Sequence, residues 1–148
     1  MTSHRLPPSA LELEITETAT MDDPAAVARV VKALKRMGVT VALDDFGTGQ
    51  SSLSHLRHLG ATTVKVDRSF VSGIGDDAAD RSLVEGMIRL AHELDLCVVA
   101  EGVEIEEQRV ILADAQCDSL QGYLLGRPMS KADLVASIIR ASAQPEAA

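Results

Sequence analysis

Two adjacent carboxylates, Asp44 and Asp45, come directly after the apolar residues 41–43 and directly before a turn that contains Gly47 and Gly49. Neighbouring acids at the end of a strand repel each other unless a cation lies between them, and carboxylate oxygens are good ligands for divalent metal ions. The alternative is a solvated acidic turn in which Asp45 caps a following helix, because Asp and Gly are ordinary turn residues. On this stretch alone, both interpretations stay open.

The chain around this acidic pair alternates between strand-like and helix-like segments. The predicted strands are residues 11–16, 39–43, 62–66, 96–100 and 119–122, and the predicted helices are residues 24–37, 51–59, 78–94, 106–115 and 131–140. Strands and helices that alternate at this spacing predict an α/β fold made of parallel βα units. The unbroken apolar run 96–100 further predicts a strand buried on both faces, with Cys97 inside.

Polar residues stand near the C-terminal ends of all five predicted strands. They are Glu14, Asp44 with Asp45, Lys65, Glu101 and Gln121. The carboxyl ends of parallel strands meet at one edge of a sheet or barrel, and that edge is where α/β proteins bind their ligands. Five such placements favour a binding or catalytic site over a solvated acidic turn at Asp44.

Composition limits the classes of partner. The chain has 148 residues, 46% of them hydrophobic, which is enough for one domain with an apolar core. A net charge of −8 and an aromatic content of 2% disfavour binding to DNA, RNA or anionic membranes, but permit a small anionic nucleotide if metal ions bridge the two partners. No apolar run approaches the roughly 20 residues that cross a bilayer, and no signal-peptide pattern opens the chain, so we expect a cytoplasmic location and no membrane segment.

Five short motifs occur in order along the chain, and they are Leu13–Glu17, Asp44–Gly49, Val64–Val71, Ala100–Glu104 and Gln121–Tyr123. Together they resemble the motifs of the EAL-type cyclic-di-GMP phosphodiesterases of bacteria, over about residues 11–130. The resemblance implies a modified (β/α)8 barrel of the TIM type. It also implies hydrolysis of one phosphodiester bond of cyclic di-GMP to the linear dinucleotide pGpG, with two Mg²⁺ or Mn²⁺ ions as cofactors.

The same resemblance implies roles for the polar residues at the strand ends. Glu14 and Asp44 are expected to bind metal, with Asp44 bridging the two ions and Asp45 holding the second. Lys65 is expected to lie beside the attacking water, and the alternative for Lys65 is a structural ion pair with Asp44 or Asp67. The expected catalytic residues are Asp45, Lys65, Glu101 and Gln121.

Three further residues complete the implied site. Glu17 and Glu104 are expected to be supporting acids, with Glu17 bracing the loop that follows Asp45. Asp67 is expected to bind substrate together with Gln121. Phosphodiester hydrolysis needs a deprotonated water and stabilisation of a charged transition state, and carboxylate-bound metal ions supply both, so the residue types agree with the implied reaction.

The chain also departs from the family pattern. The strand with the Glu-Ala-Leu signature and a later strand with an Asn ligand have no counterpart, and about 100 of the roughly 250 residues of such a barrel are missing. The prediction is therefore a partial (β/α)8 barrel, an open half-barrel of about five βα units, with an extension at residues 1–9, a truncated EAL-type domain at 10–141 and a disordered tail at 142–148. Gln50 also replaces the aromatic residue that usually follows the glycine turn.

An open half-barrel has two unpaired edge strands and an uncovered apolar interior. Such surfaces pair with other chains, so we expect self-association or a partner that covers the open side. Two functions remain for the chain. The polar residues at the strand ends favour a metal-dependent phosphodiesterase, whereas the missing strands favour a catalytically inactive module for protein contact or cyclic-di-GMP binding.

Overall fold

Five parallel strands form one sheet in the computed structural model, which describes residues 6–20, 23–48 and 59–143. The strands are β1 (Glu12–Thr16), β2 (Thr40–Phe46), β3 (Thr63–Val66), β4 (Cys97–Glu101) and β5 (Ser119–Gln121). They lie side by side in chain order, and every neighbouring pair is parallel. A doubly wound sheet reverses its strand order at some point, whereas the wall of a (β/α)8 barrel does not. This order confirms the predicted α/β architecture of parallel, barrel-like units.

Five α-helices occur in the described part of the chain. They are α1 (Pro24–Arg36), α2 (Arg68–Val71), α3 (Ala78–Glu93), α4 (Glu106–Asp114) and α5 (Lys131–Ala143). Four of them start and end within three residues of the limits predicted from the sequence, whereas the single-turn helix α2 was not predicted. The helix predicted at 51–59 lies outside the described residues except for Leu59, as do residues 144–148 of the predicted tail. The predicted domain limits stay predictions.

Local sequence explains where two of the long helices begin. Asp23 accepts a hydrogen bond from the backbone N–H of Ala26 at 2.9 Å, and Pro24 takes the first position of α1, where no backbone donor is needed. Asp77 accepts a hydrogen bond from the N–H of Ala79 at 2.7 Å and caps α3 in the same way. These caps fix where the crossover helices after β1 and β3 begin, and so help to fix the positions of the C-terminal ends of those strands.

The apolar core lies between the sheet and its helices. All four residues of β3 are buried. Two of them, Val64 and Val66, belong to one buried cluster with Leu43 of β2 and with Val84 and Ile88 of α3. Burial of aliphatic side chains such as these is the main favourable term in folding. The core therefore anchors β2 and β3 at the centre of the sheet, where their polar C-terminal residues are held most firmly.

Strand β4 differs from the prediction. Val98 and Ala100 are buried, whereas Cys97 is exposed and Val99 is only partly buried. The prediction of a strand buried on both faces is therefore wrong, and so is the prediction of a buried Cys97. Alternate residues of a strand point to opposite faces, and only one face of β4 is covered by the described helices.

The C-terminal part of the chain presents large apolar side chains to solvent. We call this surface the C-terminal apolar face, and its exposed members are Tyr123, Leu125, Met129, Leu134, Val135 and Ile139. A groove of about 510 Å³ lies between α5 and the segment that follows β5. Within the described residues, the edge strands β1 and β5 each pair on one side only. No described helix has the length and apolar character needed to cross a bilayer.

Candidate functional site

The acidic pair lies inside β2 and not after it, because β2 continues to Phe46. The pairing with β3 is irregular at this point: Leu43 faces Val64 and Phe46 faces Val66, so three steps on β2 match two on β3. Asp45 has a φ of 58°, in the left-handed region that few non-glycine residues adopt. A bulge of this kind breaks the strict alternation of side chains along a strand, so Asp44 and Asp45 are not forced onto opposite faces of the sheet.

Lys65 stands at the centre of a group of carboxylates drawn from three other strands. Its Nζ atom lies 2.6 Å from Glu14 Oε1 on β1 and 2.6 Å from Glu101 Oε1 on β4. Asp44 Oδ1 on β2 lies farther away, at 3.7 Å. The Lys65 side chain is only 7% exposed. We call Glu14, Asp44, Lys65 and Glu101 the four-strand cluster, because β1 to β4 each contribute one member.

The pKa of Lys65 is raised above its ordinary value. Burial disfavours the charged form, but hydrogen bonds to Glu101 and Glu14 outweigh it, and the charges of Glu101 and Asp44 add to them. Lys65 therefore stays protonated at neutral pH. It can neutralise anionic groups and donate hydrogen bonds, but it cannot serve as a general base.

One oxygen of Asp44 is left without a hydrogen bond. Asp44 Oδ1 is buried, and within the described residues it has no donor at hydrogen-bond distance. A buried carboxylate oxygen in this state costs free energy, and a cation would remove that cost. The oxygens of Glu14, Asp44 and Glu101 are ligands that hard divalent ions prefer. The donor chemistry thus fits Mg²⁺ or Mn²⁺, although no three acidic, His or Cys side chains in the described ranges are placed to hold an ion by themselves.

Glu17 connects the end of β1 to the turn after the acidic pair. It is 2% exposed, and its Oε2 atom accepts a hydrogen bond from the backbone N–H of Gly47 at 3.3 Å. The backbone N–H of Glu17 donates to the carbonyl oxygen of Asp44 at 3.2 Å. Gly47 has a φ of 96°, which favours glycine. Glu17 therefore fastens the backbone on both sides of Asp45, and its supporting role in a site stays a prediction.

A cleft of about 230 Å³ opens beside the four-strand cluster, at the ends of β4 and β5. Its described lining residues are Arg68, Glu101, Gly102, Glu104, Gln121, Gly122 and Tyr123. Glu101 and Gln121 face each other across the β4–β5 pairing. The cleft therefore brings together three of the predicted site residues, and Glu101 belongs both to the cleft and to the cluster.

Asp67 is placed differently from the other predicted site residues. It precedes α2 and accepts a hydrogen bond from the backbone N–H of Ser69 at 3.0 Å. Hydrogen bonds from the Ser69 side chain and then from this backbone N–H lower the pKa of Asp67 below its ordinary value. It is absent from the described lining of the cleft. Asp67 acts as a helix cap in this structure, and its expected part in substrate binding stays a prediction.

A family model described as EAL domain matches residues 1–128, which is most of the 148-residue chain. The chain belongs to the EAL domain family. The bifunctional diguanylate cyclase/cyclic di-GMP phosphodiesterase MucR of Pseudomonas aeruginosa is 45% identical to it over 135 residues, which are 91% of this chain and 20% of MucR.

Solved EAL structures have the same fold. The MucR phosphodiesterase in complex with cyclic di-GMP has a TM-score of 0.84 at 44% identity, covering 90% of this chain and 54% of that one. The EAL domain of Mycobacterium smegmatis DcpA has a TM-score of 0.88 at 38% identity, covering 95% and 63%. Klebsiella pneumoniae BlrP1 was solved with manganese and cyclic di-GMP, at a TM-score of 0.78 and 34% identity, covering 86% and 32%. The chain thus spans a fifth of MucR and just over half of its solved phosphodiesterase chain.

Two features of this EAL domain were missed from the sequence. The bulge at Asp44–Asp45 carries no local signal beyond the acidic pair itself, because it depends on the register with β3. Gln108, in the first turn of α4, is buried and bonded to the loop that ends in Glu104. Its only sequence signal is its position three residues after the N-cap residue Ile105, where Gln often bonds to the preceding backbone.

Proposed function

We propose that this chain carries the C-terminal part of a cyclic-di-GMP phosphodiesterase site, which hydrolyses cyclic di-GMP to linear pGpG. The observation that supports this most is the four-strand cluster, in which Lys65 lies between the carboxylates of Glu14, Asp44 and Glu101. Membership of the EAL family and the likeness to the MucR phosphodiesterase solved with cyclic di-GMP support the same reaction.

In this proposal Glu14, Asp44 and Asp45 would hold two divalent metal ions, with Asp44 contributing to both and Asp45 to the second. Mg²⁺ or Mn²⁺ is the expected ion, and the manganese complex of BlrP1 supports this class of metal. Bound ions of this kind supply an acidified water and a counter-charge for the phosphate. The residues contribute orientation: the Glu17–Gly47 hydrogen bond holds the backbone beside Asp45, and the bulge sets Asp44 and Asp45 at one sheet edge.

Lys65, Glu101 and Gln121 are the residues proposed to act on water and substrate. A permanently protonated Lys65 neutralises charge beside the phosphate and donates hydrogen bonds to the water or to a phosphate oxygen. Glu101 contacts Lys65 and also lines the cleft, and both observations support the proposal that it accepts a proton from the water. Gln121 supplies a neutral hydrogen-bond donor and acceptor for substrate in the cleft, and Glu104 supports the acidic wall of the cleft. Asp67, at the start of α2, is proposed to bind substrate together with Gln121.

A second candidate function is a catalytically inactive EAL module that binds cyclic di-GMP or another protein. The observation that favours it is that, within the described residues, no three acidic, His or Cys side chains are placed to hold a metal ion by themselves.

The surfaces that the described residues leave exposed support the proposal that another polypeptide binds there. The C-terminal apolar face and the one-sided edges of β1 and β5 are the kind of surface that pairs with another polypeptide. Two five-stranded sheets do not sum to the eight strands of a closed barrel, so self-association would cover these surfaces without closing a simple barrel. The absence of a DNA or RNA partner, expected from the net charge of −8, remains part of the proposal, and so does a cytoplasmic location, expected from the lack of a signal-peptide pattern and of a bilayer-spanning apolar run.

The deciding experiment incubates the purified chain with cyclic di-GMP and either Mg²⁺ or Mn²⁺, and measures linear pGpG. The Asp44→Asn variant should lose at least about 100-fold of any turnover, because it removes the charge that bridges the ions. Asp76→Asn is the matched control, since Asp76 is an exposed acid in the turn before α3. Calorimetric binding of cyclic di-GMP without turnover would favour the inactive module, and full activity in Asp44→Asn would show that the site is wrongly placed.

A further inference from the structure

Gln108 is one of the few polar side chains that are buried in the described part of the chain, at 5% exposure. Its side-chain oxygen accepts two backbone hydrogen bonds, from the N–H of Glu104 at 2.8 Å and from the N–H of Ile105 at 3.2 Å. Both donors lie at the start of α4, where backbone N–H groups lack partners within the helix. Ile105 precedes the helix and has no side-chain acceptor of its own, so Gln108 supplies the acceptor.

The opposite side of the same loop is held by the segment after β5. The buried Val103 donates its backbone N–H to the carbonyl oxygen of Gln121 at 3.0 Å and accepts a hydrogen bond from the N–H of Leu124 at 3.0 Å. A Cβ atom at Gly122 would overlap the backbone of Val103. The approach of the two segments is therefore one that glycine permits and larger residues do not. The loop 102–105 is therefore held by hydrogen bonds to Gln108 on one side and by the backbone after β5 on the other.

This loop connects two carboxylates of the candidate site. Glu101 is the last residue of β4 and bonds to Lys65, whereas Glu104 lines the cleft three residues later. Gly102, between them, has a φ of 72° and no side chain to restrict its rotation. A small rotation at Gly102 would swing Glu104 relative to Glu101 if the loop were not held. The hydrogen bond from the Glu104 N–H to Gln108 opposes this rotation directly.

We propose that Gln108 is a positioning residue, whose buried side chain fixes Glu104 relative to Glu101 and so sets the shape of the acidic wall of the cleft. Its role toward cyclic di-GMP rests on the proposed function, but its hold on the loop does not. Gln108 itself does not line the cleft, so it acts through Glu104 and not by contact with ligand.

The test compares three substitutions at one position. Gln108→Met removes the hydrogen-bond acceptor and keeps a similar side-chain volume. If that variant fails to fold, Gln108→Asn replaces it, because its shorter side chain moves the acceptor away from the two N–H groups. Gln108→Glu keeps an acceptor of the same length, as in the helix-start pairing that Glu and Gln share. Val110→Met is the matched control, because Val110 is an exposed residue of the same helix.

Amide hydrogen exchange is the first measurement, because it needs neither metal nor substrate. In Gln108→Met the amides of Glu104 and Ile105 should exchange about tenfold faster or more, and so should the amide of Val103, which Gln108 does not touch. Gln108→Glu and Val110→Met should stay close to the parent chain. Faster exchange at Glu104 and Ile105 alone would mean a simple helix cap and would overturn the proposal, as would no change at all.

Turnover of cyclic di-GMP is the second measurement. Gln108→Met should lower kcat/KM on the order of tenfold at a temperature where both chains are folded, and Gln108→Glu should restore most of it. Equal kcat/KM in the Met variant and the parent would overturn the role in the cleft. A parent chain that neither binds nor cleaves cyclic di-GMP would refute the proposed function instead, and the Val103 exchange would still decide whether Gln108 positions the loop.

Discussion

At the scale of single residues, charge balance around Lys65 governs the candidate site. One ammonium group lies between three carboxylates, and the closest two contacts are both 2.6 Å. Breaking a buried ion pair by removing one partner leaves the other charges uncompensated. Lys65 is therefore as important for holding Glu14, Asp44 and Glu101 near one another as for any part it plays in the reaction.

This balance makes a prediction for Lys65→Met. The variant should lose on the order of 3 kcal/mol of unfolding free energy in the absence of metal, because three acids then face one another without a counter-charge. Mn²⁺ should recover more stability in the variant than in the parent chain, because a divalent cation can replace the missing charge. Urea unfolding with and without Mn²⁺ measures both effects, with the exposed Lys35→Met as control. Equal unfolding midpoints for parent and variant would contradict the importance of the cluster.

The sequence predicted which residues would gather around Lys65, but not how they contact it. Glu14, Asp44 and Glu101 follow strand-like segments, and parallel strands carry their C-terminal residues to one edge, so their proximity was predictable. The sequence left open a structural ion pair of Lys65 with Asp44 or Asp67. The ion pair with Asp44 is present at 3.7 Å, but the two shorter contacts of Lys65 are with Glu14 and Glu101, which the sequence did not indicate. Asp67 is used as a helix cap.

At the scale of elements, one carboxylate ties α3 to the edge of the sheet. Asp118 Oδ2 lies 2.9 Å from His92 Nε2 and accepts a hydrogen bond from the N–H of Val98 at 2.7 Å. Burial alone would raise the pKa of Asp118, but the hydrogen bonds from His92 and Val98 outweigh it and hold the pKa below the ordinary value of 3.8. The ionised form is thus favoured by folding.

A depressed carboxyl pKa gives a definite sign for acid stability. The contribution of Asp118 is fully present above pH 3.8 or so, and it is lost as the pH falls through the lower pKa of the folded state. We therefore expect Asp118→Asn to flatten the loss of stability as the pH falls below about 4, relative to the parent chain. Thermal unfolding across this range tests the sign, with the exposed Asp95→Asn as a control. Parallel pH profiles for Asp118→Asn and the parent would contradict it.

Two glycines in different elements should respond in opposite directions to alanine. Gly122→Ala would force a Cβ into the backbone of Val103, which cannot move aside as a flexible side chain would, so we expect a loss of about 3 kcal/mol. Gly86 lies inside α3 with open space beside it, and Gly86→Ala should stabilise the chain by about 0.5–1 kcal/mol. Chemical unfolding of both variants gives the comparison. A stable Gly122→Ala would mean that the close approach after β5 is not required.

Element boundaries followed from the sequence more closely than element faces did. The apolar periodicity and the Asp-Pro start of α1 placed that helix within one residue, because both signals are local. The apolar run at β4 could not show that Cys97 would be exposed, since hydrophobicity does not indicate which face of a strand another element covers. The bulge at Asp44–Asp45 was missed for a related reason: it arises from pairing with β3, a segment about 20 residues away.

At the scale of the whole molecule, none of the described residues covers the C-terminal apolar face or the outer sides of the two edge strands. Ile139, a member of this face on α5, is 63% exposed, and α5 borders the groove of about 510 Å³. A monomer rarely leaves so much contiguous apolar surface in water. The solved MucR phosphodiesterase chain extends well beyond the matched region, so in that relative more polypeptide is available to cover such surfaces.

This surface gives a prediction about assembly. Ile139→Glu should weaken self-association at least about tenfold, because a charge would be buried in an apolar contact. Val30→Glu, at an exposed apolar position on α1, should leave association unchanged and serves as control. Sedimentation or light scattering at several concentrations measures both. A parent chain that stays a monodisperse monomer with cooperative unfolding would remove the need for any covering partner.

The chain-order sheet has a consequence for how the protein is made. Each strand pairs with the one synthesised just before it: Glu12 of β1 faces Thr40 of β2, and Val99 of β4 faces Ser119 of β5. Within the described residues each strand pairs only with its neighbours in chain order, so every pairing closes a loop of one βα unit. A nascent chain leaving the ribosome can therefore add one βα unit at a time, each new strand docking on the free edge that the previous one offers.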